Sequence, residues 1–271
     1  MEPRTYETPS GLELELRIPA GDLVVRTLET DRTTVRITGE RDADDVTVRF
    51  DRGAADGPAT LVVAQRRDGA GWRWSRQSLT VEVTAPTATR LTVESSSADL
   101  RATGVLSALV LRSASGDVMV EDVLGDVELR TASGDVRARS VGGALTASTA
   151  SGDVWVDSVG GDVSARTASG DVSLGESAGI VRVTTASGDV SLGNAGPGAT
   201  DVRTVSGQVE VGVAPGTRSY LDVSSLSGAT VSDLPVSDEP AAGAGPDLEV
   251  RVSTTSGSVR IRRGSGPRAA R

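Results

Sequence analysis

Ala150-Ser151-Gly152-Asp153-Val154-Trp155-Val156-Asp157-Ser158 is followed by Val159-Gly160-Gly161-Asp162-Val163-Ser164-Ala165-Arg166-Thr167, and then the pattern starts again. Outward from this stretch, glycine recurs every nine residues at Gly116, Gly125, Gly134, Gly143, Gly152, Gly161, Gly170, Gly179 and Gly188. Asp follows each of them except before Ala144 and Ile180. A short fixed period means that one small unit is stacked many times.

Within each nonapeptide the third and fifth positions are apolar, as in Val154 and Val156 or Val163 and Ala165. That alternation is the period of a strand with one buried face. The eighth position, Val159 or Ala168, reads as a small inward residue at a corner. Glycine at the turn supplies a positive φ that other residues reach only with strain. Ala-Ser-Gly-Asp-Val begins at residues 114, 132, 150, 168 and 186, so one coil is 18 residues with two strands and two different corners. Coils stacked about 4.8 Å apart as parallel strands make an all-β, flattened, two-sided β-solenoid of either hand. Aromatic residues are 2% of the chain, so its core is thin and built from Val, Ala and Leu.

The spacing reaches back to Ser97-Ala98-Asp99-Leu100. Before it, alternating segments at 12–18, 23–26, 35–38, 46–50, 61–63 and 79–83 are separated by turn-rich stretches and predict hairpins. Residues 1–90 are therefore expected to form an N-terminal antiparallel β cap grading into the solenoid. A solenoid end needs such a cap, because it exposes strand edges and core. Residues 91–213 form the regular solenoid. Weaker copies of the corner follow at Ser206-Gly207, Ser227-Gly228 and Ser256-Gly257, in irregular C-terminal coils at 214–263 with a loop at 235–247. Residues 264–271 read as a flexible tail.

The Ala-Ser-Gly-Asp-Val repeats resemble those of the bacterial β-strand-repeat family of unknown function that carries the name putative adhesin. Tyr6-Glu7-Thr8-Pro9, Pro19-Ala20-Gly21-Asp22, Val211-Gly212-Val213 and Ser256-Gly257-Ser258-Val259-Arg260-Ile261 are similar to its soluble actinobacterial members. The resemblance implies the repeat fold and brings no catalytic residues with it.

Net charge is −9, which excludes nucleic acid as a main partner. The chain has no Cys and no His, its start shows no export signal, and no stretch of 18 apolar residues occurs. The expectation is a cytoplasmic protein without membrane insertion. A nucleophilic Ser needs a base, and neither His nor Lys is present to supply one. No phosphate loop or dinucleotide fingerprint occurs either. No catalytic residue, metal or cofactor is therefore assigned.

Three groups are candidate sites. Asp117, Asp135, Asp153, Asp171 and Asp189 fall on one corner of successive coils. They read either as turn carboxylates accepting N–H bonds or as a cation ladder for calcium, which needs six to eight oxygens per ion. Thr131, Thr149, Thr167 and Thr185 form a column whose hydroxyls are expected to bond along the coil axis. Ice binding is the other reading of that column. Trp155 lies outward on a strand, stacked by the period with Arg137, and Met119 lies beyond. This trio reads as a partner-binding patch or as a surface cation–π stack. Ser173, Gly175, Ser191 and Gly193 leave a bare strip, expected to be covered by the segment around Tyr220-Leu221. Trp72 and Trp74 read as cap core or as a sugar platform.

The function expected is a non-enzymatic scaffold or interaction module, monomeric or weakly dimeric, binding a protein rather than a small molecule. A calcium- or glycan-binding adhesin-like module is the alternative, and a carbohydrate-active enzyme a distant one.

Overall fold

A computed structural model describes residues 2–8, 11–39, 45–53, 57–65, 79–234 and 247–264. Among them there is no α-helix, and the strands join in an all-β solenoid. The chain forms two compact units, residues 1–139 and 140–271.

The strands of the first unit are β1 (Arg4–Glu7), β2 (Leu12–Arg17), β3 (Ala20–Leu28), β4 (Arg32–Thr38), β5 (Val46–Asp51), β6 (Ala59–Gln65), β7 (Thr80–Pro86), β8 (Thr89–Glu94), β9 (Ser97–Arg112), β10 (Val118–Val123), β11 (Val127–Arg130) and β12 (Val136–Val141), which runs across the division. The expected hairpins β2–β3 and β6–β7 do not form. Instead β2 lies parallel between β6 and β8, with Leu14 opposite Leu61 and Leu91. Likewise β3 lies parallel between β7 and β9, with Leu23 opposite Val81 and Leu100. The solenoid therefore starts at Leu12 rather than near residue 90. Its first coil, β2–β3, is inserted between the coil β6–β7 and the coil that begins with β8. Among the described residues the antiparallel pairs of the cap are β5 on β6, β4 on β7 and β1 on β4. Tyr6 and Phe50 come together there with ring centroids 4.8 Å apart. Trp72 and Trp74 lie outside the described residues.

Alternation explains these strands residue by residue. In β2 Leu12, Leu14 and Leu16 are buried while Glu13 and Arg17 face out. The long β9 serves both sheets: Leu100 and Ala102 belong to one wall and Leu109 and Leu111 to the other. Gly104 makes the corner between them, with φ +87° and a carbonyl oxygen, that of Thr27, 2.3 Å from where a Cβ would sit.

The second unit comprises β13 (Leu145–Thr149), β14 (Val154–Val159), β15 (Val163–Ser169), β16 (Val172–Ser177), β17 (Val181–Ser187), β18 (Val190–Ala195), β19 (Gly198–Ser206), β20 (Val209–Val213), β21 (Ser219–Ser227), β22 (Thr230–Ser232), β23 (Leu248–Ser256) and β24 (Val259–Arg263). Odd-numbered strands stack on one wall and even-numbered strands on the other, in the expected 18-residue register: Val163 faces Val181, and Val154 faces Val172. The extra residue at Gly196-Pro197-Gly198 lengthens one step to 19, so Val190 faces Val209. The C-terminal coils are regular but out of order, because β23 lies between β19 and β21, and β24 between β20 and β22.

The two corners of a coil differ. At one, the eighth repeat position points inward as expected: Val159, Ser177 and Ala195 are buried. At the Ala-Ser-Gly-Asp corner the preceding threonine turns in instead. Thr167 and Thr185 are buried while Ala168 and Ala186 are exposed. Ordinary alternation causes this: counting in twos from Val163 or Val181 brings Thr167 and Thr185 inward and leaves the next alanine facing out.

Candidate functional site

The aspartates that follow the corner glycines act on the next coil. The Asp171 backbone N–H donates to Asp153 Oδ1 at 2.8 Å, the Asp189 N–H to Asp171 Oδ1 at 2.8 Å, and the Gln208 N–H to Asp189 Oδ1 at 2.7 Å. In the first unit the Asp117 N–H bonds Asp99 Oδ1 at 2.8 Å and the Asp135 N–H bonds Asp117 Oδ1 at 3.0 Å. The opposite corner repeats the device, with the Ile180 N–H on Asp162 Oδ1 at 2.9 Å. Each carboxylate thus satisfies a corner amide one coil away. Among the described residues no three acidic side chains converge as ligands for one ion.

Glycine at this corner is required by stacking. A Cβ on Gly170 would lie 2.2 Å from the Gly152 carbonyl oxygen, and one on Gly188 2.1 Å from that of Gly170, although φ at neither is in the left-handed range. Gly116 and Gly134 do have positive φ, +123° and +124°, and meet the same obstruction. At the other corner Gly125, Gly161 and Gly179 would meet backbone at 2.5 to 2.7 Å.

The threonine hydroxyls do not bond along the coil axis. Thr131 and Thr204 donate to the carbonyls of Ser133 and Ser206 within their own corner, at 2.8 and 3.1 Å. The burial of Thr167, Thr185, Thr204 and Thr254 also removes a threonine surface for ice. The bare strip has a different cause from the one expected. The backbone close to Gly175 is that of Asp157, whose carbonyl oxygen lies 2.3 Å from where a Cβ would sit, and the backbone close to Gly193 is that of Gly175, at 2.4 Å. Tyr220 and Leu221 do not cover it, since β21 pairs with β23.

The partner-binding candidates divide between the units. In the first, Met119 points outward from β10, 43% exposed, opposite Arg101 of β9, which in turn faces Val24 of β3. Arg137 of β12 reaches the same groove and makes an ion pair of 3.5 Å with Asp135. The groove, of about 540 Å³, is lined by Asp22, Asp99 and Asp117 along one edge and by Arg26, Arg101 and Arg137 among others. Trp155 belongs to the second unit, half-buried on β14 opposite Ser173. Arg101 lies one 18-residue step before Met119, whereas Arg26 and Val24 escape the nonapeptide pattern, because β3 enters this wall from a distant part of the chain. The Gly21-Asp22 pair is the sequence signal for it, as a copy of the corner outside the regular run.

The model of the Toastrack DUF4097 family matches residues 12–262. No curated protein is detectably similar in sequence. Among solved structures, a putative adhesin from Bacteroides fragilis is 13% identical with a TM-score of 0.51, covering 97% of this chain and 96% of that one. A putative lipid binding protein from Parabacteroides distasonis is 17% identical with a TM-score of 0.48, covering 96% of each chain. A putative adhesin from the same organism is 13% identical with a TM-score of 0.42, again covering 96% of each.

Proposed function

Since the chain belongs to the Toastrack DUF4097 family, we propose that it is a non-enzymatic scaffold which binds a protein partner on the outward face of β3, β9 and β10. Met119 is the observation that carries this reading: a long apolar side chain, 43% exposed, set among Asp22, Arg26, Asp99, Arg101 and Asp117 with Val24 beside it. Methionine and arginine are enriched at interfaces, and a few such anchors dominate binding energy. Small-molecule pockets are mostly apolar with a few polar groups, whereas six of the twelve described residues that line this groove are charged, three acidic and three basic. That lining suits the charged rim of a protein.

Three features support the absence of catalysis. The sequence holds no His, Lys or Cys to serve as base or thiolate. The aspartate columns are engaged on corner amides, which is a structural duty. The similar structure from Bacteroides fragilis carries an adhesin name, which agrees with binding rather than turnover.

Affinity capture from the lysate of the native host tests this reading, with wild type beside a Met119→Ala, Arg137→Ala double variant and a separate Trp155→Ala variant. A partner held by wild type and lost by the double variant is expected. The same partner on both, or none on wild type, would sink the proposal.

A further inference from the structure

The coil β21–β22 is, among the described residues, the last of the second unit's stack. Among the described residues β21 pairs only with β23 and β22 only with β24. The N–H and C=O groups of alternate β21 residues therefore face outward along the stack, ready for another strand. Edge strands are normally blunted by Lys, Pro or dense charge. In β21, Ser219-Tyr220-Leu221-Asp222-Val223-Ser224-Ser225-Leu226-Ser227, only Asp222 is charged. Tyr220 is 54% exposed and Leu226 84%.

The sequence of this edge is complementary to itself. Pairing two copies antiparallel keeps outward residues on one face only in registers centred on a residue. A centre at Asp222 sets the two carboxylates against each other, and centres at Leu221 or Ser224 shorten the overlap. A centre at Val223 places Tyr220 beside Leu226 of the second copy, Asp222 beside Ser224 and Leu221 beside Ser225, with no like charges opposed. Each of these contacts occurs twice, as two-fold symmetry requires.

We propose that β21 pairs antiparallel with β21 of a second copy of this chain, centred on Val223, to form a two-fold dimer. β21 shares no residue with the groove around Met119, and its pairing does not depend on the function assigned there.

Charge substitution at Ser224 tests the register, because Ser224 is exposed and its replacement leaves the coil core untouched. In Ser224→Asp each new carboxylate faces Asp222 of the other copy, and in Ser224→Arg each guanidinium faces it. Sedimentation of the full chain across a concentration series should show a monomer–dimer equilibrium. Ser224→Asp should weaken it about tenfold and Ser224→Arg should tighten it, because each cross-strand charge pair is made twice. Amide exchange over Ser219–Ser227 should slow as wild-type concentration rises. A chain that stays monomeric at every concentration overturns the proposal. So does a dimer indifferent to both substitutions.

Discussion

A methyl group on Gly188 would sit 2.1 Å from the carbonyl oxygen of Gly170, far inside van der Waals contact, so the coils must separate or the corner must break. Gly188→Ala is expected to cost more than about 3 kcal/mol, the range reserved for a forced backbone rearrangement. Gly11 has φ +94° with nothing within 4 Å of a Cβ, so Gly11→Ala should cost only the left-handed strain of about 1–2 kcal/mol. Urea midpoints of the two variants check the contrast, and equal shifts would contradict the stacking explanation. The nine-residue period made Gly188 and the other corner glycines visible. It did not reveal why they are needed, since a single sequence shows recurrence along the chain and not which backbone lies above. The aspartate beside each glycine carries the same lesson. Asp171→Ala removes the acceptor of the Asp189 N–H and should cost about 1 kcal/mol at this exposed corner, while Asp171→Asn, which keeps a side-chain oxygen, should recover most of it. Denaturation of the pair decides, and indistinguishable variants would remove the acceptor role.

Strand existence was legible because alternation and a buried face dictate it, from Leu12 through Ile261. Strand order was not. Valine-rich strands of equal length and register are interchangeable neighbours, so nothing local says that β23 lies between β19 and β21, or β2 between β6 and β8. The copies Gly207, Gly257 and Gly228 hold the signal in spatial form. A Cβ on Gly257 would meet the Gly207 carbonyl oxygen at 2.0 Å, and one on Gly228 that of Gly257 at 2.1 Å. At the base of the displaced coil Arg218 clasps Asp247, donating through its backbone N–H at 3.2 Å and through two guanidinium nitrogens at 3.2 and 3.0 Å. These bonds hold the Asp247 carboxyl below the ordinary carboxylate range. Because its folded pKa is lowered, the clasp is complete above the unfolded value and fails only as pH falls through the lower, folded one. Exchange of the Ser219–Ser227 amides, corrected for intrinsic rate, should therefore be flat from pH 7 to about 5 and rise only in stronger acid. Asp247→Asn should raise it several-fold at pH 7. A wild-type rise already above pH 5 would count against the clasp.

At the scale of the whole molecule, the repeat supplies two kinds of surface. Corners are consumed by their own ladders of aspartate and glycine, which leaves them little capacity for a ligand. Outward wall positions that no neighbouring backbone presses, unlike Gly175 and Gly193, are free to vary without harming the coil, and there function can be written. Met119 and Arg137 were legible as candidates because the 18-residue period stacks them with Trp155 at one outward repeat position. Arg26 completes the groove from a strand that the period does not reach, and Arg101 from the coil before Met119. Calcium should leave the melting temperature unchanged, since each of Asp153, Asp171 and Asp189 already accepts an amide N–H; a clear calcium-dependent rise would reopen the cation ladder. The central claim is that the outward face of β3, β9 and β10 binds a protein. Hydrogen exchange of the chain with and without its captured partner tests it most directly. The account predicts slowed exchange on partner binding at Asp22–Arg26, Asp99–Arg101 and Asp117–Met119, with the β15 and β17 wall unchanged. Protection confined to the corners or to the second unit, with those three segments unaffected, would contradict it.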